Sequence, residues 1–161
     1  MKNLMIYGTK YGFTTECMNQ LIARLEGETT LINIKTDRVP SLAGYDKVIL
    51  GGSVYMGTVQ KEIKEYAASH TAELSAKKVG LFLCCGLAEN FQAYLTNSFP
   101  ALLLSNAGAK EVFGGVLNTG KMGFLDKMIT SMMKKATEKE NKPLPRPLPE
   151  NITRFAEIMN G

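Results

Sequence analysis

The fold class this chain predicts is α/β, a three-layer sandwich built on a parallel sheet, and three observations predict it. Short apolar runs alternate with helical periodicity along the whole of its 161 residues, the pattern of parallel strands joined by crossover helices. Two of those runs, 47–51 and 78–85, are apolar almost without a break, as strands buried on both faces must be. The first run ends in Gly8-Thr9-Lys10-Tyr11-Gly12-Phe13-Thr14-Thr15, a glycine- and hydroxyl-rich turn leading into a helix. Right-handed crossovers would then cover both faces of a five-stranded sheet, with the whole chain, 1–161, as one domain.

The elements follow in order. Residues 2–7 read as the first strand. Residues 14–25 read as a helix with Cys17, Leu21, Ile22 and Leu25 on one face. Residues 29–35 are the second strand and 37–44 a loop carrying Pro40. The third strand is 47–51, followed by a helix over 59–69. The fourth strand is 78–85, followed by a helix over 90–106 interrupted near Pro100. The fifth strand is 111–117. A helix over 126–137, a proline-rich spacer over 142–149 and a closing helix over 151–159 complete the pattern. In an open α/β sheet, ligands sit beyond the carboxyl ends of the strands. A strand order of 2-1-3-4-5 makes neighbours of the loops after strands one, three and four.

Each of those loops carries unusual residues. The first, 9–15, offers three threonine hydroxyls and the amino end of a helix, whose N–H groups and dipole attract an anion. A phosphate is the natural guest. The second runs Gly51-Gly52-Ser53-Val54-Tyr55-Met56-Gly57-Thr58, and the third Cys84-Cys85-Gly86-Leu87-Ala88-Glu89-Asn90.

Thr9-Lys10-Tyr11-Gly12-Phe13-Thr14 resembles the phosphate loop of the flavodoxins, of the form Ser/Thr-x-x-Gly-x-Thr. That resemblance implies a flavodoxin-like sandwich that binds FMN non-covalently. It places Thr9, Lys10, Tyr11, Gly12, Phe13, Thr14 and Thr15 at the phosphate. Ser53, Val54, Tyr55, Met56 and Gly57 would flank the flavin ring, with Tyr55 stacking on it. Cys84, Cys85, Gly86 and Leu87 would approach its pyrimidine end. The stretch from Tyr45 to Gly57, and the basic, methionine-rich 122–135, are similar to the subgroup containing the menaquinone-dependent protoporphyrinogen dehydrogenases. The segment 87–107 departs from that pattern. The resemblance therefore implies an FMN oxidoreductase whose chemistry lies on the flavin, with no catalytic side chain and no metal, working from a porphyrinogen to a quinone. The alternatives are a soluble flavodoxin-type electron carrier and a non-catalytic flavin-binding module.

Composition bounds the remaining choices. Hydrophobic residues make up 45% and charged residues 21% of the chain, an ordinary globular balance. The net charge of +4 is mild and does not point to nucleic acid. The expected partner is a redox protein or a quinone, and the basic stretch near 122–135 suits a peripheral membrane contact. Met1-Lys2-Asn3 leads straight into a strand, so a cytoplasmic protein is expected. Three cysteines, two of them adjacent, read as reduced and buried thiols. The sole histidine, His70, reads as a solvated helix-end residue. There is no Walker phosphate-loop motif, no zinc-ligand spacing and no acidic cluster on the first strand.

Overall fold

The computed structural model describes residues 1–9, 12–86, 88–115 and 146–161. Its sheet contains β1 (Lys2–Gly8), β2 (Glu28–Asn33), β3 (Lys47–Tyr55), β5 (Lys78–Cys84) and β6 (Ala109–Val112) in parallel, in the order β2-β1-β3-β5-β6. A two-residue strand, β4 (Thr58–Val59), folds back antiparallel on the end of β3. With β4 set aside, this is the predicted order of five.

The period of two along each central strand divides the core into two halves. Leu4, Ile6, Val48, Leu50, Val79, Leu81 and Leu83 face one side. There they meet Ile63 and Ala67 of α2 (Lys61–Ser69), Leu74 of α3 (Thr71–Ser75), Leu95 of α4 (Phe91–Ser98) and Leu103 of α5 (Ala101–Asn106). Met5, Tyr7, Ile49, Phe82 and Cys84 face the other side. They pack against Cys17, Met18 and Leu21 of α1 (Phe13–Ile22) and against Ile152, Phe155, Ala156 and Met159 of α6 (Pro149–Asn160). Phe113 joins this half, stacked on Phe82 at 5.0 Å and edge-on to Phe155 at 5.4 Å, pairs that each add about 0.5–1.5 kcal/mol beyond simple burial. Buried Lys47 donates from Nζ to the carbonyl of Met159. That carbonyl lies at the carboxyl end of α6, where a cation is favoured.

Several boundaries differ from those predicted. The helix expected over 59–69 starts only at Lys61, because Thr58 and Val59 belong to β4. Met56 and Gly57, with φ of 56° and 82°, form a two-residue hairpin turn that carries the chain back onto β3. Of the strand expected over 111–117, residues 116–117 lie outside the described residues, and the described strand starts earlier, at Ala109–Val112; Gly114, at φ 81°, then turns the chain toward Arg146, Pro147 and Leu148. The break near Pro100 is present, between Ser98 and Ala101. His70 is half-buried rather than solvated, its ring stacked on Tyr66 at 4.1 Å between α2 and α3. The helix expected over 126–137, and with it the basic stretch 122–135, lies outside the described residues. Among the described residues no helix is long and apolar enough to cross a membrane.

Candidate functional site

Sheet register brings the three loops together. Gly8 pairs with Gly52, and Ser53 pairs with Cys84. The chain therefore leaves β1, β3 and β5 from adjacent points on one edge, roughly 10 Å from first to last at normal strand spacing. Gln60, which precedes α2, lies across this edge and donates from Nε2 to Ser53 Oγ. Its side chain packs closely over two glycines. A Cβ on Gly52 would stand 2.5 Å from Gln60 Oε1 and 2.6 Å from the Gly8 carbonyl, and a Cβ on Gly8 would stand 3.0 Å from the same Oε1.

The first wall is the β1–α1 turn. Gly12 adopts φ 90°, a left-handed conformation natural to glycine. Its N–H donates to Thr9 Oγ1 at 3.0 Å, and its carbonyl accepts from Thr15 N–H at 3.1 Å. Among the described residues no side chain caps α1, so with the Thr15 N–H taken by Gly12, those of Phe13 and Thr14 are the helix-start donors a ligand could take up. A Cβ on Gly12 would meet nothing within 4 Å among the described residues. Thr14 is fully buried, yet its hydroxyl has no hydrogen-bond partner among the described residues. Its neighbour is the Cys84 thiol, whose pKa it lowers against the larger effect of burial, but a thiol is a weak partner. An orphaned hydroxyl beside an uncapped helix start fits a phosphate, which would supply the missing acceptor. The one acidic residue of this turn of α1, Glu16, is exposed.

The second wall is the β3–β4 hairpin. Ser53, Val54 and Tyr55 are half-buried on its outgoing strand, and Met56 projects from the tip, 73% exposed. A methionine in the left-handed region costs about 1 kcal/mol relative to glycine. Helix α4 holds the hairpin from behind. Asn97 Nδ2 donates to the Gly57 carbonyl at 3.1 Å, and buried Ser98 Oγ accepts from Val59 N–H at 3.0 Å.

The third wall starts at Cys84 and Cys85. Both are buried. Cys84 Sγ turns into the core toward Cys17 Sγ, 3.8 Å away. Burial, reinforced by the Cys17 thiol, pushes the Cys84 pKa well above the ordinary thiol value. Cys84 is therefore a packed thiol, and what this wall presents at the edge is backbone around Cys85 and half-buried Gly86. The segment after β6 supports it, with Gly115 packed against the Cys85–Gly86 peptide. Of the residues expected at the site, Thr9, Gly12, Phe13, Thr14 and Thr15, then Ser53 to Gly57, and Cys84 to Gly86 come to this one edge. Lys10, Tyr11 and Leu87 lie outside the described residues.

A model of the flavodoxin domain matches residues 4–143. The chain belongs to the flavodoxin-domain family. This flavodoxin domain is 28% identical over 146 residues to a protoporphyrinogen IX dehydrogenase [quinone] of Leishmania major, covering 84% of this chain but 63% of that relative. It therefore spans less than two thirds of that protein's length. It is 22% identical over 144 residues to the protein of the same name in Escherichia coli strain K12, covering 84% and 80% of the two chains. Among solved structures, a short-chain flavodoxin associated with a non-canonical PDU bacterial microcompartment superposes with a TM-score of 0.65 at 15% identity, over 100% of this chain and 99% of that one. A Fusobacterium nucleatum flavodoxin bound to flavin mononucleotide gives 0.60 at 13% identity, over 98% and 96%. These two likenesses bear on the fold alone.

Three residues of the flavodoxin domain's site edge were not expected from the sequence: Gln60, Asn97 and Ser98. Gly8 and Gly52 were the available sign of Gln60, since glycines at two strand ends mark something packed closely over them. Nothing local marks Asn97 or Ser98, which reach the hairpin only through tertiary packing.

Proposed function

We propose that this flavodoxin domain binds FMN non-covalently and works as an oxidoreductase, taking electrons from a porphyrinogen and passing them to a quinone. The observation that carries the cofactor is the buried Thr14 hydroxyl, orphaned beside the uncapped start of α1 and at the edge where three loops converge. The substrate pair is supported by the names of the two curated relatives.

In this reading Thr14 Oγ1 and the first N–H groups of α1 hold the phosphate, and Gly12 keeps the turn open to it. Tyr55 and the hairpin cover one side of the ring and exclude water, and the backbone of Cys85 and Gly86 meets its polar end. FMN, when bound, supplies one-electron or hydride chemistry, so no side chain has to act as acid or base. The basic 122–135 stretch is the proposed contact with a quinone-bearing membrane or a redox partner.

The absorption spectrum of the purified protein tests the cofactor: a flavin spectrum is expected, with FMN released by acid. A colourless protein that takes up no added FMN overturns the reading. Mixing the holoprotein with a porphyrinogen and a menaquinone analogue tests the reaction. Turnover supports the oxidoreductase; FMN binding without turnover assigns an electron carrier instead.

A further inference from the structure

The hairpin wall contains a conformation that its own sequence does not favour. Two-residue turns with positive φ at both positions favour Asn, Asp or Gly at the first, and here that position is Met56, at φ 56°. Such a conformation persists only where the surroundings hold it. The hairpin is too short to hold itself: β4 has two residues, paired through Val54–Val59 and Tyr55–Thr58. The restraint comes from α4. Asn97 Nδ2 donates to the Gly57 carbonyl at 3.1 Å, directly behind the strained residue, and Thr58 Oγ1 reaches back to the Asn97 carbonyl at 3.5 Å. Ser98 anchors the root of the hairpin at Val59. The same helix reaches the third loop, where Asn90 Nδ2 donates to Tyr94 Oη at 3.3 Å. The Tyr94 ring also borders Gly57, 3.9 Å from where a Cβ would stand. Positions 90, 94 and 97 share one helical face by their spacing of four and three, so this face links the third loop to the hairpin tip.

We propose that Asn97 is a positioning residue: its side-chain amide holds the Met56–Gly57 turn in its left-handed conformation and so sets the shape of the wall that faces the flavin ring. This rests on the FMN reading. Asn97 is exposed and contributes nothing to the core, so replacing it leaves the fold standing.

The test compares wild type, Asn97→Ala, Met56→Gly and the double variant. In the apoprotein, hydrogen exchange at the Gly57 and Thr58 amides should be about five- to tenfold faster in Asn97→Ala. With FMN added, affinity should fall about tenfold. The midpoint potential of the bound flavin should also move, because the oxidised and reduced ring do not meet the loosened wall equally. A role confined to stability would leave that potential in place. Met56→Gly removes the strain at its source, and in the Asn97→Ala background it should restore the potential. Unchanged exchange together with an unchanged potential in Asn97→Ala overturns the proposal, as does failure of Met56→Gly to restore the potential. Wild-type protein that binds no FMN would sink the cofactor reading instead, and the exchange measurement would still decide whether Asn97 holds the turn.

Discussion

Two buried hydroxyls, one behind each of the first two walls of the site, are in opposite states. Ser98 is 1% exposed and its Oγ accepts from Val59 N–H, closing the hairpin against α4. Thr14 is 0% exposed, and among the described residues its Oγ1 has no partner but the weak Cys84 thiol. A buried hydroxyl left unsatisfied costs about 1–3 kcal/mol, so folding alone gives no reason to keep a threonine there. The hairpin wall is completed by the protein, and on the proposed reading a phosphate completes the α1 wall. Deleting one hydroxyl should therefore damage the fold, and deleting the other should damage binding.

Thr14→Val should give the largest effect. FMN affinity is expected to fall about 10- to 100-fold, the range for one charge-assisted hydrogen bond. Apoprotein stability should stay level or rise by up to about 1 kcal/mol, because an unpaired polar atom gives way to an apolar group of the same shape. Isothermal titration and denaturant melts read the two quantities separately. A loss of stability with unchanged affinity would make Thr14 an ordinary core residue. Ser98→Ala should behave the other way. The Val59 N–H loses its acceptor, and stability should drop by about 1–2 kcal/mol in urea unfolding, with a smaller loss of affinity than in Thr14→Val. Equal losses of affinity in the two variants would erase the distinction.

The smallest effect lies away from both walls and serves as a control on the stability measurements. Burial, helped by the charge of Glu73, pushes the Tyr66 hydroxyl pKa up to about 12, from an ordinary 10.0. The folded state thus favours the neutral phenol. Its contribution is complete below pH 10 and is lost as pH rises from 10 to about 12. Stability of the wild type should fall more steeply across that window than that of Tyr66→Phe. Parallel curves would contradict the assignment.

The first wall was legible in the sequence because its chemistry is local. A strand, a glycine turn, hydroxyls and a helix start occupy 15 consecutive residues, and each keeps its meaning without knowledge of its neighbours. The central place of the third and fourth predicted strands was legible for a similar reason, since the continuous apolar runs 47–51 and 78–85 suit strands covered on both faces. The hairpin was not. Val59, Ile63 and Ala67 are spaced by four and all buried, so helical periodicity runs back past the true start of α2 and hides β4. The Asn97 and Ser98 bonds were invisible because they span about 40 residues of chain. The α1 wall proposed to hold a ligand could thus be read from residue types, whereas the hairpin wall depends on packing.

The central claim is that the α1 wall is built for a phosphate, and FMN and riboflavin differ by that group alone. Titrating the apoprotein with each, followed by quenching of flavin fluorescence, measures what the wall contributes. FMN should bind at least about 100-fold more tightly than riboflavin, and Thr14→Val should shrink that ratio. Equal affinities for the two flavins would contradict the account.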